Sequence, residues 1–397
     1  MKNFETIGLP KSLLHTLTYI GFHTPTPIQI QAIPPALNGQ DILGSAQTGT
    51  GKTAAFGIPL VAKLICTKHN SALVMTPTRE LATQVMQQLQ KLLGKKSNIK
   101  TTLLIGGEPL PKQIRQIKQN PRLIVGTPGR INDHLVRGNL ELNDTDFLVL
   151  DETDRMLDMG FSAQIEKIIN FMPEKKQVLL FSATLPENIK KISSKYLNNP
   201  AYISIKHTNN INLKIKQEVV QVSINDKYKQ LLIQLDKRQG TIIVFVKTRH
   251  NTEKIAEMLS SNNYSVAAIH GNLHQRKRDS IMKAFRKQKY RILIATDIAA
   301  RGLDIPHIEH VINYDLPQCP EDYIHRIGRT ARAGATGSAI CIVTPADKYK
   351  WNSINSLING NSNSDKNTKV YKTNTGKCIK KPYAKKKYKN KKLTIAK

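Results

Sequence analysis

Two tandem α/β domains built on parallel sheets, followed by a basic disordered C-terminal tail, are predicted by three observations on this 397-residue chain. Short β-branched apolar runs alternate with helical patterns in two successive segments. The runs are apolar throughout, as strands of a parallel sheet covered on both faces must be. The last 52 residues turn to Asn, Ser and Lys with few apolar anchors, too little to bury a core.

The first domain is placed at 1–205, with strands expected at 41–45, 72–76, 103–105, 123–126, 147–150 and 178–181. The second is placed at 217–345, with strands at 219–224, 242–246, 266–269, 292–295, 310–313 and 339–343. Capped helical patterns lie between them, for example at 78–93 and 248–260. Residues 206–216 read as a linker and 346–397 as a Lys-rich disordered tail. Ligands on such sheets sit at the carboxyl ends of the strands, so the chemical residues are sought just after them.

Charge narrows the function. Lys and Arg number 60 against 29 Asp and Glu, a net charge of +31. It divides as +8 in 1–205, +10 in 206–345 and +13 in 346–397. Such a surface concentrates polyanions, either nucleic acid or an anionic membrane. No apolar stretch approaches the roughly 18–20 residues needed to span a bilayer, and residues 1–10 have no apolar core for a signal peptide. Cys66, Cys319, Cys341 and Cys378 are scattered and form no CxxC pair, which argues against zinc and disulfides and fits a reducing cytoplasm.

A nucleotide site is expected after the first strand. Ala46, Gln47, Thr48, Gly49, Thr50, Gly51, Lys52 and Thr53 form a Gly-rich turn that opens a helix. Backbone amides in such a turn cradle phosphate, with the helix N-terminus adding a favourable dipole. Lys52 would reach the β/γ-phosphates and Thr53 would bind Mg²⁺. The general phosphate-loop pattern fails at its first position, which is Ala46. The strand at 147–150 ends in Asp151, Glu152, Thr153 and Asp154. Adjacent carboxylates repel one another without a cation; with Mg²⁺, Asp151 can hold the metal shell and Glu152 can deprotonate a water. A third strand ends in Ser182, Ala183 and Thr184, small residues able to relay the state of the acidic loop; the same pattern serves as an ordinary helix cap.

Arginine supplies only 16 of the 60 basic residues, so its positions are informative. Its planar fork grips phosphate bidentately, where lysine is a point charge. Arg329 and Arg332 fall at helical spacing in the second domain, and could complete an ATP site on the first when the domains close. A surface helix with salt bridges would carry the same RxxR spacing.

These segments together resemble the DEAD-box RNA helicases of helicase superfamily 2. The match covers about residues 4–345, in the family's order: Phe4 with 21–29, 46–53, 77–81, Gly106 and Gly107, 127–130, 151–154, 182–184, 244–246, His270 and Gly271 with Gln275 and Arg276, 295–304, and 325–332. Ala46 is normal for this family. The wording at 155–161 is similar to its bacterial RhlE-like branch. Thr153 and Ala331 depart from the usual Ala and Gly, and neither removes a functional group.

The resemblance implies two RecA-like domains and a set of roles. Gln29 would read the adenine edge, Phe4 would pack on the base, and Asp304 would approach the ribose. Pro77, Thr78, Arg79, Gly107, Thr127, Pro128, Gly129 and Arg130 would line the RNA path on the first domain. Thr248, Gly271, Gln275, Arg276, Thr296 and Asp297 would do so on the second. Asp154, Ser182, Thr184, His325 and Arg326 would couple the two ligands. Backbone amides and hydroxyls at such positions read phosphate and 2′-OH without reading sequence.

The expected function is ATP-dependent local unwinding of RNA or remodelling of its complexes, by a cytoplasmic monomer acting on ribosomal RNA or mRNA. An ATP-gated RNA clamp without unwinding would carry the same motifs, and a DNA-directed translocase is disfavoured by the complete Gln29 segment. The basic tail, with Tyr371, Tyr383 and Tyr388 interleaved, is expected to tether RNA through counterion release.

Overall fold

The computed structural model describes residues 3–46, 49–95, 97–183, 187–205, 215–300, 305, 307–331 and 335–359, and the backbone at 369–372. Two helices, α1 (Lys11–Tyr19) and α2 (Pro27–Leu37), precede the first sheet. There follow β1 (Ile42–Ser45), α3 (Lys52–Cys66), β2 (Ser71–Met75), α4 (Arg79–Leu93), β3 (Thr101–Leu104), α5 (Leu110–Ile117), β4 (Leu123–Gly126) and α6 (Pro128–Val136). The domain ends with β5 (Thr145–Leu150), α7 (Thr153–Asp158), α8 (Ser162–Asn170), β6 (Gln177–Ser182), α9 (Glu187–Tyr196) and β7 (Ala201–Ser204). All pairings are parallel, in the order β3-β4-β2-β5-β6-β1-β7.

The second domain repeats the plan. It comprises β8 (Ile215–Gln221), α10 (Lys227–Asp236), β9 (Ile242–Phe245), α11 (Arg249–Ser261), β10 (Val266–Ile269), α12 (Gln275–Arg286), β11 (Ile292–Ala295) and α13 (Asp297–Ala300). Then come β12 (His310–Asn313), α14 (Pro320–Ile327), β13 (Gly337–Val343), α15 (Lys348–Asn359) and β14 (Lys369–Lys372). Its strands are also parallel, in the order β10-β11-β9-β12-β13-β8-β14. Position for position, this is the first sheet again.

Each sheet is covered on both faces, which explains the uninterrupted apolar runs. On β2, Ala72 and Val74 join one core while Leu73 and Met75 join the other. On β9, Ile243 and Phe245 face one core and Ile242 and Val244 its opposite. A period of two on fully buried strands sends every residue into some core. No described helix is long and apolar enough to cross a membrane.

Three expectations change. The sequence reading misses β7, a short edge strand in which Ile203 is buried and Tyr202 is 63% exposed, so no apolar run announces it. Ile215 and Lys216, placed in the linker, already belong to β8; residues 206–214 lie outside the described residues. The tail expected to be disordered from 346 instead begins with α15. Trp351, Ile354 and Ile358 recur at helical spacing and pack on the second core, and Trp351 meets Tyr323 edge-on at 6.3 Å. Composition over a long window hid three apolar residues at the right spacing. Residues 360–368 and 373–397 lie outside the described residues.

Candidate functional site

Because β5, β6 and β1 are neighbours, their carboxyl ends bring the Gly-rich turn, the acidic loop and Ser182 together. The Ala46 amide donates to the Ser182 carbonyl at 3.0 Å, extending this alignment past the strands. Gly49 and Gly51 have φ of +85° and +95°, the left-handed region that favours glycine. At Gly51 a Cβ would also lie 2.5 Å from Gln29 Nε2. Gln47 and Thr48 lie outside the described residues.

Gln29 is buried and braces this turn. Its Oε1 accepts from the Thr26 amide at 3.0 Å, and its Nε2 donates to the Gly51 carbonyl at 3.2 Å. One amide hydrogen and one lone pair remain for an adenine edge. Phe4 is 3% exposed and packs within the first core, its ring 6.5 Å from that of Phe22. Asp304, expected at the ribose, lies outside the described residues.

Lys52 opens α3, whose first amides have no side-chain cap. It is 7% exposed, and its ammonium has no hydrogen-bond partner among the described residues. Thr53 follows it, half-buried. Across the strand ends Asp151 is 3% exposed. Burial pushes its carboxyl up to about 6, against the pull of the Lys52 charge and with help from Glu152 and Asp154. Glu152 sits at φ +51°, a strained conformation for a residue with a Cβ, of the kind that persists where the surroundings enforce it.

The acidic loop is tied to its neighbour. The Thr153 hydroxyl lies 3.2 Å from the carbonyls of both Leu150 and Phe181, so this departure from the family pattern is accommodated. Asp154 accepts from the Arg155 amide at 3.0 Å and from the Ala183 amide at 3.3 Å. That last bond joins the acidic loop to the strand end carrying Ser182. Thr184 lies outside the described residues.

An open cleft between the domains gathers Pro77, Thr78, Arg79, Thr127, Gly129 and Arg130, with Gly106 and Arg278 also on its walls. The Thr78 hydroxyl caps α4 by accepting from the Leu81 amide at 3.2 Å. The Arg79 guanidinium lies so close to Gly106 and Gly107 that a Cβ on either would meet it within 2.8 Å. Pro128 begins α6 and is buried beneath the exposed Gly129.

On the second domain the expected residues divide. Gln275 reaches across: Arg79 Nη1 donates to its Oε1 at 3.3 Å, and its Nε2 donates to Glu80 at 3.2 Å. Thr248 caps α11, Gly271 is exposed and Thr296 is buried; none of the three lines that cleft. Arg276 is exposed, whereas Arg278, two residues on, pairs with Glu80 at 2.8 Å. Asp297 is committed to Arg326 through two bonds of 2.6 and 2.7 Å. Arg326 also donates to Asn313 and to the Asp315 carbonyl and stacks 4.8 Å over Phe245. It therefore braces its own domain. His325 is half-buried, Arg329 is 6% exposed in the turn after α14, and Arg332 lies outside the described residues.

Sequence reasoning missed four residues that join the domains. Glu80 and Arg278 form one pair, and Arg155 forms a buried ion pair with Asp322. Glu80 and Arg155 each sit inside or beside a motif, but nothing local tells which distant residue a charge will meet.

Comparison with known proteins agrees with this geometry. Residues 26–192 match the DEAD/DEAH box helicase family and residues 223–334 the helicase conserved C-terminal domain. The chain is 44% identical over 356 residues to the DEAD-box ATP-dependent RNA helicase CshA of Bacillus cereus, covering 89% of this chain and 68% of that one. It is also 44% identical over 347 residues to CshA of Bacillus subtilis, covering 87% and 70%. The narrower RhlE-like resemblance finds no counterpart in these names. Among solved structures, S. cerevisiae Dbp5 bound to RNA and ADP BeF3 superposes with a TM-score of 0.83 at 32% identity, covering 94% of this chain and 96% of that one. Mss116p bound to ssRNA and AMP-PNP gives 0.82 at 29% identity, covering 93% and 78%. With two RecA-like sheets, one bearing a buried lysine beside buried carboxylates, and with relatives this similar over most of its length, the chain belongs to the DEAD-box ATP-dependent RNA helicases.

Proposed function

We propose that ATP binds at the β1–α3 turn, that Glu152 orients and deprotonates the attacking water, and that RNA lies across both domains in the cleft. The family activity is RNA-stimulated ATP hydrolysis coupled to local duplex unwinding or remodelling of RNA–protein complexes. One observation carries the assignment to these residues: a buried Lys52 ammonium without a hydrogen-bond partner among the described residues, beside an Asp151 carboxyl that burial holds near 6. The lysine charge does not offset the burial of that carboxyl, and a nucleotide phosphate with its cation would supply a partner for each group.

The site fits Mg²⁺. The donors are a carboxylate and a hydroxyl, the oxygen ligands a hard cation takes, and the negative charges of Glu152 and Asp154 lie close enough to act on Asp151. Asp151 and Thr53 would hold the ion, partly through water, and when bound it would neutralise phosphate charge. Lys52 binds the phosphate oxygens, Gln29 offers its spare amide groups to adenine, and Phe4 supports that wall from the core. Arg329 and Arg332 approach the phosphates when the domains close, and the Asp154–Ala183 bond passes the state of the acidic loop to Ser182 and Thr184.

RNA is held through its backbone and 2′-OH groups by the cleft residues, with Arg79 bridging to Gln275. Closure bends one strand and releases the other. The protein acts as a cytoplasmic monomer on ribosomal RNA or mRNA. Glu152→Gln tests the chemistry: ATP and RNA binding should persist while turnover falls by about 10²–10⁴-fold, the range for loss of a general base. Normal turnover would refute the assignment.

A further inference from the structure

Gln113 lies one turn into α5 and is 1% exposed. A buried primary amide must place two hydrogens and two lone pairs. Its Nε2 donates to the Ile105 carbonyl at 2.8 Å. Its Oε1 lies 3.1 Å from Arg130 Nη1 and 2.9 Å from His134 Nε2. Arginine can only donate, which fixes the amide orientation. His134 must then donate from Nε2, leaving Nδ1 as an acceptor, and Nδ1 indeed has no partner among the described residues.

Two further segments, the loop at Ile105 and helix α6, are thus pinned to one side chain of α5. Ile105 leads directly into Gly106 and Gly107, on which Arg79 rests and which Gln275 approaches from the second domain. The same Arg130 Nη1 also donates to the Glu108 carbonyl at 3.2 Å. His134 locks the following turn of α6 from the interior, where it is fully buried.

We propose that Gln113 is a positioning residue for RNA: it sets Arg130 and the 105–107 loop at the spacing that the RNA backbone requires. The proposal rests on the reading that Arg130 and Gly107 lie on the RNA path. Gln113 touches neither ATP nor the acidic loop, so its effect belongs in the RNA requirement and not in the chemical step. Without it Arg130 keeps its charge but loses one of its two close acceptors, and the 105–107 loop loses its tie to α5.

The experiment is RNA-titrated ATPase on the full chain with Gln113→Leu, Gln113→Glu, Arg130→Ala and the Gln113→Leu/Arg130→Ala double variant, alongside thermal midpoints. Gln113→Leu should raise the half-saturating RNA concentration about tenfold, the equivalent of one hydrogen bond to a charged group, with kcat within about twofold. The double variant should be no worse than Arg130→Ala alone, because both act through one contact. Gln113→Glu can still accept from Arg130 and His134 but cannot donate to Ile105, so it should recover part of the loss; it also serves if the leucine variant does not fold. Unchanged RNA dependence in both Gln113 variants, or strict additivity with Arg130→Ala, overturns the proposal. A normal titration for Arg130→Ala would instead overturn the RNA-path reading beneath it.

Discussion

Lys52 and Lys227 occupy the same place in two copies of one fold. Each is the first residue of the helix that follows the innermost-numbered strand of its sheet, α3 after β1 and α10 after β8. Each faces an aspartate just beyond the corresponding strand, Asp151 after β5 and Asp315 after β12. In the second domain the two are paired at 2.5 Å, Lys227 also lies 4.6 Å over the Tyr314 ring, and Asp315 accepts from the Lys247 amide at 2.8 Å. In the first, the ammonium has no hydrogen-bond partner among the described residues and the carboxyl is pushed up by burial. The same topology therefore holds a satisfied ion pair in one copy and an unsatisfied charge cluster in the other. The glycines at 49 and 51, at positive φ, distinguish the first turn; the turn at 222–226 in the second domain holds no glycine. Chemistry resides in the loops and not in the sheet.

The comparison breaks if the two lysines behave alike. Lys52→Ala should reduce ATP turnover by at least about 10²-fold, as loss of a phosphate-binding charge does, and should leave the thermal midpoint unchanged or raised, since it removes a buried unpaired cation. Lys227→Ala should leave ATPase at saturating ligands within about threefold while lowering the midpoint, because Asp315 loses its partner; the pair is partly exposed, so about 1 kcal/mol is expected. ATPase assays and thermal melts on both variants decide it. A second effect lies between the domains. The Arg155–Asp322 pair joins α7 to α14 with both residues under 10% exposed. Arg155→Asp or Asp322→Arg leaves like charges facing across that contact, and should lower RNA-stimulated turnover about tenfold or more. Reversing both should restore most of it; no rescue in the double variant would show that the pair does not support closure.

What was legible in the sequence follows from the same contrast. The residues at strand ends were readable because their chemistry needs particular types at particular spacings: glycines at positive φ, a lysine opening a helix, carboxylates at a strand tip. Gln29 was singled out through its motif, but its bonds to Thr26 and Gly51 were not legible, since they depend on how α2 lies against the turn. Gln113, Glu80 and the Arg155–Asp322 pair left no local trace, because each acquires its role only when segments distant in the chain meet. Asp297 shows the converse: its place in a motif suggested RNA, and the fold gives its carboxylate to Arg326.

A smaller effect separates the buried His134 from the half-buried His310. Burial lowers both His134 and His310 from the ordinary 6.5. Folding thus favours their neutral forms, and the stability this contributes is complete above about pH 6.5 and declines as pH falls below it. The two differ in what a proton would meet. His310 has Ser338 Oγ at 2.8 Å from Nδ1 and the Gln239 carbonyl at 2.7 Å from Nε2, so a second N–H finds an acceptor. His134 Nδ1 has none among the described residues, and Arg130 lies nearby. Between pH 6.5 and 5, His134→Gln should flatten the fall in thermal midpoint more than His310→Gln does. Equal slopes for the two variants would remove the distinction.

The finest test concerns where the second domain ends. Composition placed the boundary at 345, but Trp351 and the 1%-exposed Ile354 belong to the core. Truncation after 345 therefore removes packing and charge together, whereas truncation after 372 removes ten lysines and leaves α15 in place. The longer cut should lower the thermal midpoint, since exposing a site filled by an isoleucine costs about 2–5 kcal/mol. The shorter cut should not. It should leave ATPase at saturating RNA intact, raise the RNA concentration needed, and make binding fall less steeply with salt, because fewer phosphates are neutralised and fewer counterions released. Measured as log affinity against log salt, an unchanged slope means that those lysines do not touch RNA. The net charge of the working machine would then be that of the two folded domains, whose arginines are placed by geometry.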